Sequence, residues 1–292
     1  MNSQDPRTKY PKPGSEEKTQ SYPGIEESMN TQPDYGEESY RGSGRLEGKV
    51  TVVTGGDSGI GRAVAVAFAK EGADVVVAYL EEETEDAEKT LDVIREVGRK
   101  GVGFTGDFSD LSNCEKLVQK TVDEFGRIDV LVNNAALQKN FESLGDITPE
   151  DFEEIYRINV VAPFVLIQKA AKHMQPGGSV INTVSVQAYD PSFILLPYAA
   201  SKGAFTELTK GLADQLIEKG IRVNAVAPGP IWSPLNTHAA PERMLREFGE
   251  GTTIGRPGQP VELAPLYVLL ASNEASYITG EVYGITGGSG IV

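Results

Sequence analysis

Residues 49–61 read KVTVVTGGDSGIG and decide the fold. Val50, Val52 and Val53 form a β-branched run that is typical of a buried strand. The glycines that follow allow a sharp turn and a close backbone approach, and the amphipathic segment from Ile60 onward predicts a helix. Strand, glycine-rich turn and helix together form the geometry that binds a pyrophosphate at a helix N-terminus. The spacing is G-x3-G-x-G rather than G-x-G-x-x-G, so a ligand-free turn stays open as the alternative for this stretch alone.

Downstream of this turn, β-type runs alternate with helical segments. We expect strands at residues 50–53, 74–79, 102–105, 129–132, 179–184, 221–226 and 281–285. The segments between them predict helices at residues 60–71, 81–98, 111–125, 149–174, 198–218 and 260–271, with a short one at 242–248 in a Pro-rich connection spanning 228–258. This alternation predicts an α/β fold, in which a doubly wound parallel sheet of seven strands carries helices on both faces. Ligands of such sheets bind at the carboxyl ends of the strands.

Residues 1–45 differ in composition from the rest of the chain. They are rich in Pro, Ser, Gly and Glu and contain almost no aliphatic residues, which is typical of a disordered tail. Tyr10, Tyr22, Tyr35 and Tyr40 favour instead an arm that lays its tyrosines on the body or on a neighbouring subunit. Both interpretations stay open, and we divide the chain into an N-terminal extension or arm, residues 1–45, and a single folded domain, residues 46–292.

Composition narrows the class of protein. A net charge of −15 over 292 residues argues against nucleic acid or an anionic membrane surface as a partner. The single Cys114 excludes an intrachain disulfide framework and a cysteine metal site, and with only His173 and His238 a histidine-rich metal site is not available. No apolar run is long enough to span a bilayer, and residues 2–10 show no signal peptide. We therefore expect a cytoplasmic protein without a metal.

Tyr198 and Lys202 stand four residues apart, on one face of a predicted helix. A tyrosine hydroxyl, with a pKa of about 10, is a poor base near neutrality, but a nearby ammonium favours the phenolate and lowers that pKa. Ser185 follows the fifth predicted strand, where its hydroxyl can hold a substrate oxygen beside the tyrosine. On its own the Tyr-x3-Lys spacing is as well explained by a surface pair.

The wider pattern resembles the short-chain dehydrogenase/reductase family. The resemblance rests on motifs in the family's order and approximate spacing: TGGDSGIG at 54–61, NNA at 133–135, Asn159, Ser185, YAASK at 198–202 and PGP at 228–230. It covers residues 46–290 and implies a Rossmann-type fold. The TGGDSGIG turn and RPGQPVELAP at 256–265 are similar to a bacterial subgroup of general-stress or aldehyde-reducing oxidoreductases with a similar polar extension. Ala136 and Thr286 depart from the family's usual glycine and acid.

The resemblance implies a role for each of four catalytic residues. Tyr198 would be the general acid in reduction and the base in oxidation. Lys202 would lower the pKa of Tyr198 and bond the nicotinamide ribose. Ser185 would orient the carbonyl and stabilise developing negative charge. Asn159 would hold a water that links Lys202 to solvent. Hydride passes directly between cofactor and substrate, so this chemistry needs no metal.

The resemblance also implies the residues that bind cofactor and substrate. Cofactor contacts are expected from the glycine turn and from the loops after the strands: Gly55, Asp57, Ser58, Gly59, Ile60, Gly61, Tyr79, Leu80, Glu81, Asp107, Phe108, Asn133, Ala135, Tyr198, Lys202, Pro228, Gly229, Ile231 and Ser233. Asn134 is expected to support the sheet instead. Substrate contacts are expected from Ser185, Gln187, Phe193, Tyr198 and Trp232, the alternative being that several of these pack a lid or a subunit contact.

The cofactor is NAD or NADP, and the acids near the second strand favour NAD. Glu81 stands two residues beyond the end of that strand and opens the acidic run Glu81–Glu83, and Asp57 lies in the glycine turn. No Arg or Lys is near enough in sequence to meet a 2′-phosphate, because Arg62 lies inside the helix. A phosphate should be repelled by this negative neighbourhood.

The main interpretation is an NAD(P)-dependent oxidoreductase that transfers a hydride between nicotinamide and a small alcohol, aldehyde or ketone. The alternative is a catalytically silent NAD(P)-binding sensor or a stress-related structural protein, against which the intact Ser185, Tyr198 and Lys202 argue. Family resemblance further implies a homotetramer built on the helices at 149–174 and 198–218.

Overall fold

Parallel strands form one central sheet. The structure, a computed structural model, describes residues 4–13 and 16–291, so residues 1–3 and 14–15 of the predicted extension and residue 292 of the predicted domain lie outside the described residues. The described chain contains seven strands in the order β3-β2-β1-β4-β5-β6-β7. They are β1 (Val50–Thr54), β2 (Asp74–Tyr79), β3 (Gly101–Thr105), β4 (Ile128–Asn133), β5 (Met174–Thr183), β6 (Arg222–Pro228) and β7 (Val282–Ile285). All pairs are parallel, and the order reverses between β1 and β4, which opens a crevice there.

Helices cover both faces of the sheet. They are α1 (Gly59–Lys70), α2 (Thr84–Glu96), α3 (Ser112–Phe125), α4 (Pro149–Tyr156), α5 (Ala162–Ala170), α6 (Leu196–Leu216), α7 (Pro234–Ala239), α8 (Glu242–Arg246) and α9 (Ala264–Ala271). One core layer joins α1, α2 and α9 to the sheet, and a second joins α3, α5 and α6. The predicted α/β fold, doubly wound with seven parallel strands, is confirmed.

The helix predicted over residues 149–174 is interrupted. Between α4 and α5 lies a π-helical turn, Arg157–Val161, and Met174 already belongs to β5. Pro163 has no N–H to offer the carbonyl four residues back, so the backbone widens around Asn159 rather than simply bending. The expectation of one continuous helix was therefore wrong, and the proline begins a new helix.

The connection after β6 holds more structure than expected. Besides α8 it contains α7, a short helix that begins with Pro234 after Ser233. Helix α7 has too few residues to show a helical period, which is why the sequence did not predict it. We call residues 229–258 the lid segment.

The N-terminal arm lies against the body within the described residues. Tyr35 is 2% exposed, and the guanidinium of Arg62 stacks 4.7 Å from its ring centroid. The hydroxyl of Tyr40 donates to Glu71 at 2.6 Å. These contacts follow the docked-arm interpretation rather than that of a free tail. No helix of the described residues has the length and apolarity needed to cross a membrane.

Candidate active site

A groove of about 480 Å³ runs along the carboxyl ends of the strands. Its walls come from the glycine turn after β1, the loops after β2, β3, β4 and β5, the start of α6 and the lid segment. The parallel sheet brings these loops together because all of its strands end at the same edge. The groove lies at the crevice where the strand order reverses.

The glycine turn makes a cradle with no room for side chains. Gly55 and Gly59 have φ angles of +60° and +53°, which other residues rarely adopt. A Cβ at Gly61 would lie 1.8 Å from the carbonyl oxygen of Gly55, so α1 packs directly on the turn. Ser58 precedes α1 without capping it by its side chain, and Ser58, Gly59 and Ile60 line the groove. This uncapped helix N-terminus fits the pyrophosphate of a dinucleotide.

Ser185, Tyr198 and Lys202 converge on one wall of the groove. Ser185 follows β5, and the other two residues stand one turn apart near the start of α6. Ser185 lies beside Tyr198, close enough for its side chain to favour the Tyr198 phenolate. Lys202 Nζ lies 5.5 Å from the centroid of the Tyr198 ring and donates to the carbonyl oxygen of Thr183 at 2.8 Å. The predicted grouping of a phenol, an ammonium and a hydroxyl is present.

Burial dominates the protonation of this group. It raises the pKa of Tyr198 to about 12, although the neighbouring Ser185 side chain acts in the opposite direction. It also lowers the pKa of Lys202 to about 7. The sequence predicted that Lys202 lowers the pKa of Tyr198, but in the structure the net shift is upward. Desolvation of both groups outweighs their attraction, since the ammonium itself loses charge near neutrality.

Asn159 is buried behind the groove rather than in it. Its side-chain oxygen accepts from the amide of Leu137 at 2.8 Å, and its amide donates to the carbonyl oxygen of Leu137 at 2.9 Å and to Ser201 Oγ at 3.0 Å. The π-helical turn places Asn159 where it fixes the loop after β4 to α6. These bonds make it a positioning residue, and its role in a water relay stays a prediction.

Two acids lie at the end of the groove opposite Tyr198 and Lys202. Asp57 is 2% exposed, and Glu83 folds back so that its carboxylate accepts from the amide of Leu80 at 3.0 Å. Burial raises the pKa of both carboxyl groups, and repulsion from Asp86 adds to the shift of Asp57 while repulsion from Asp57 adds to that of Glu83. Glu81 and Glu82 are exposed because the 3₁₀ turn Glu81–Glu83 directs them outward. Of the predicted acidic run 81–83, Glu83 therefore lines the groove and Glu81 does not.

Comparison with known proteins decides the family. A family model described as enoyl-(acyl carrier protein) reductase matches residues 55–289. The crystal structure of a short chain dehydrogenase from Burkholderia cenocepacia, solved in complex with NADP, superposes with a TM-score of 0.77 at 32% identity, covering 84% of this chain and 99% of that one. The chain belongs to the short-chain dehydrogenase/reductase family. It is an NAD(P)-dependent oxidoreductase, as the motifs predicted.

Relatives within the family match over nearly their whole length. The uncharacterized oxidoreductase YhdF of Bacillus subtilis is 48% identical over 288 residues, covering 99% of this chain and 98% of the relative. General stress protein 39 of Bacillus subtilis is 46% identical over 280 residues (96% and 98%). The chloroplastic NADPH-dependent aldehyde reductase 1 of Arabidopsis thaliana is 44% identical over 279 residues (94% and 97%). The cofactors in these names are NADP and NADPH, which weighs against the predicted preference for NAD.

Most of the residues predicted from the family motifs line the groove. They are Gly55, Asp57, Ser58, Gly59, Ile60, Tyr79, Leu80, Asp107, Phe108, Ala135, Ser185, Gln187, Tyr198, Lys202, Pro228, Gly229, Ile231 and Ser233. Six predicted residues do not line it: Gly61, Glu81, Asn133, Asn159, Phe193 and Trp232. Asn133 points its amide at Asn182 within the sheet, at 2.9 Å, while Asn134 both lines the groove and bonds the carbonyl oxygens of Thr54 and Gly55.

Phe193 and Trp232 lie outside the groove for opposite reasons. Phe193 is 78% exposed on a surface turn. Trp232, within the lid segment, is fully buried: it packs with Met29, Leu245 and Phe248, and its Nε1 donates to the carbonyl oxygen of Thr31 at 2.8 Å. Trp232 therefore attaches the arm to the lid segment.

The sequence missed several residues that line the groove. The most important are Tyr22, Pro23 and Gly24 of the arm, and Gln138 and His238, while Glu83 was predicted only as part of the acidic run 81–83 and not as a contact residue. For the arm residues, the only indication in the sequence was a tyrosine in an otherwise polar segment. Glu83 stands in an acidic run, but nothing in the sequence of that run shows which of its acids turns toward the groove.

Proposed function

We propose that this oxidoreductase reduces small aldehydes or ketones, and oxidises the corresponding alcohols, with Tyr198 as the general acid/base. One observation carries the proposal: Tyr198 lines the groove together with Ser185 and Lys202, and Lys202 Nζ lies 5.5 Å from the centroid of its ring. The cradle at Gly55–Gly59–Ile60 supports a dinucleotide running from the glycine turn toward this group. Such a cofactor, once bound, supplies or accepts the hydride.

The raised pKa of Tyr198 suits it to reduction. A buried phenol with a pKa of about 12 is protonated at neutral pH and can give its proton to a carbonyl oxygen as negative charge develops there. Ser185 Oγ, anchored by the Gln187 amide at 3.1 Å, is placed to donate a second hydrogen bond to the same oxygen. Alcohol oxidation needs Tyr198 as a base, so we expect it to require higher pH than reduction.

Lys202 and Asn159 would support this proton transfer. Lys202 is held by the carbonyl oxygen of Thr183, and its partial charge near neutrality stabilises the phenolate left after the proton has gone. Asn159 holds the loop after β4 in register with α6 through Leu137 and Ser201.

The substrate end of the groove combines apolar and polar side chains. Leu195, Leu235 and Phe248 supply apolar surface, and Gln187 supplies an amide. These side chains favour a small carbonyl compound as the substrate, and the aldehyde reductase among the relatives supports the same substrate class.

Two observations bear on the choice of cofactor. Lys202 is the single lysine or arginine among the described residues that line the groove, and Asp57 and Glu83 lie at its other end, which disfavours a 2′-phosphate. The raised pKa of both acids means, however, that a neutral carboxyl can be present and can donate a hydrogen bond to that phosphate. We propose that the enzyme accepts NADP(H) as well as NAD(H), and that its preference for NADP(H) falls as the pH rises.

The test of the proposed function is turnover with a panel of aldehydes and alcohols, followed by the absorbance of the reduced nicotinamide. Tyr198→Phe should lower kcat by about 10²- to 10⁴-fold, because it removes the proton donor. It should leave binding of the reduced cofactor, measured by its fluorescence, nearly unchanged. Tyr189→Phe is the matched control, since Tyr189 does not line the groove. Full activity of Tyr198→Phe on the best substrate would overturn the assignment.

We propose the cytoplasm as the location and a homotetramer as the assembly. Exposed apolar side chains on and between α4 and α5 support a subunit contact there: Phe152 is 37%, Val161 41% and Phe164 38% exposed. The buried free thiol of Cys114 supports a reducing compartment. Light scattering of the purified protein measures the assembly.

A further inference from the structure

A short piece of the arm crosses the mouth of the groove. Tyr22, Pro23 and Gly24 line the cavity together with residues from the ends of the strands. Tyr22 is 54% exposed, while Gly24 is buried, so the tyrosine lies at the outer edge of the groove. Its ring meets the ring of His238, in the lid segment, edge-on, with the centroids 5.3 Å apart.

Tyr22 lies at the same end of the groove as Asp57 and Glu83. After burial, the carboxylates of Glu83 and Asp107 contribute most to raising the pKa of Tyr22 to about 12. Glu83 and Asp107 both line the groove, in the loops after β2 and β3. Tyr22 therefore spans the gap between these loops and the lid segment. A dinucleotide whose pyrophosphate lies at the glycine turn would extend its adenosine into this gap.

The crossing segment is fixed to the lid segment on one side. The amide of Gln20 donates to the carbonyl oxygen of Thr237 at 3.0 Å, and Thr19 Oγ1 donates to that of Ala240 at 2.8 Å. Gly24 packs so closely on Pro234 that a Cβ would lie 2.3 Å from the proline carbonyl oxygen. These contacts join the arm to α7 and its flanks.

It is fixed to the body on the other side. The amide of Glu26 donates to Asp86 Oδ2 at 2.9 Å, and the Glu26 carboxylate pairs with Arg62 at 2.5 Å. Asp86 lies on α2 and Arg62 on α1. Two anchors on opposite sides of the groove hold residues 20–24 across it.

We propose that residues 20–24 form a strap over the adenosine end of the cofactor groove, and that Tyr22 contacts the bound adenosine. The proposal rests on the placement of the dinucleotide given above. Because both ends of the strap are anchored, cofactor has to pass Tyr22 on leaving, so the strap slows its dissociation. An aromatic ring at this place also offers a face for adenine to stack on.

The experiment measures cofactor release from the full-length protein by stopped-flow displacement of bound NADPH and NADH, read by nicotinamide fluorescence. Tyr22→Ala should raise the dissociation rate by at least about fivefold. Tyr22→Phe keeps the ring and should stay within about twofold of the natural protein. Tyr277→Ala removes a fully exposed tyrosine outside the groove and serves as the matched control.

Fragments of the cofactor locate the effect. Tyr22→Ala should weaken binding of ADP-ribose by a similar factor and leave binding of nicotinamide mononucleotide unchanged. Gly24→Ala should raise the dissociation rate as well, because its new methyl group pushes the strap off Pro234. A thermal melt of each variant confirms that it is folded.

Release from Tyr22→Ala within about twofold of that from the natural protein would overturn the strap, as would equal weakening of both fragments. These are binding measurements, so they are separate from the proposed catalytic roles. If Tyr198→Phe keeps full activity while Tyr22→Ala releases cofactor faster, the proposed chemistry fails and the strap stands.

Discussion

The carboxyl group of Glu83 turns back onto the amide of Leu80 and faces the end of the groove, whereas Glu81 points to solvent. Glu83→Gln removes a negative charge that appears there as the pH rises, and the glutamine oxygen can still accept from Leu80. We expect the ratio of kcat/KM for NADPH over NADH to fall in the natural enzyme between about pH 6 and about pH 9, since both acids have raised pKa values and deprotonate in this range. In Glu83→Gln the ratio should be about tenfold higher at the alkaline end and should vary less with pH. Glu81→Gln makes the same change of charge on an exposed neighbour; equal ratios in the two variants would contradict the role of Glu83.

At the scale of elements, the packing of α1 on the glycine turn holds the cradle in shape. Gly61→Ala would place a Cβ 1.8 Å from the Gly55 carbonyl oxygen and 2.7 Å from Asn134 Nδ2, and that amide is itself held by the carbonyl oxygens of Thr54 and Gly55. We expect a loss of about 3 kcal/mol in the free energy of unfolding, measured by urea denaturation, together with weaker cofactor binding. Gly211→Ala on α6 is the control, because its Cβ meets open space; it should be neutral or stabilise by up to about 1 kcal/mol. Comparable losses of unfolding free energy in the two variants would show that helix propensity, and not the contact with Gly55, causes the destabilisation.

The same elements show what the sequence could predict. Strong local signals placed β1, α1 and the Tyr198–Lys202 pair correctly, because β-branched runs, glycines and helical spacing act over a few residues. Packing between residues that are far apart in the sequence could not be predicted. Nothing near Pro163 announced a π-helical turn, and nothing near Trp232 showed that the arm would cover it. The spacing to Lys202 indicates an attraction between the two groups, whereas the burial that raises the pKa of Tyr198 depends on the whole fold and could not be predicted from that spacing.

At the scale of the whole molecule, ion pairs bind the arm to the body. Arg62, with a side chain 7% exposed, pairs with Glu26 at 2.5 Å and with Glu37 at 2.7 Å. Glu26→Gln leaves this buried guanidinium with one carboxylate, at a cost of about 2 kcal/mol to arm docking. Trypsin should then cleave after the exposed Lys18 about tenfold faster, as followed by mass spectrometry. The Glu27→Gln variant changes an exposed neighbour and should be cleaved as slowly as the natural protein. Equal cleavage rates in the two variants would mean that the Arg62–Glu26 pair does not hold the arm.

Trp232 is the single tryptophan of the chain, and its indole N–H is bonded to the carbonyl oxygen of Thr31 while its ring packs on Met29. The whole intrinsic indole emission of the protein therefore originates at the seam between arm and lid segment. Detachment of the arm would bring water to that ring and shift the emission to longer wavelength. The protein carries its own optical reporter of this seam, which can be read without a label and in the presence of any substrate that does not absorb there.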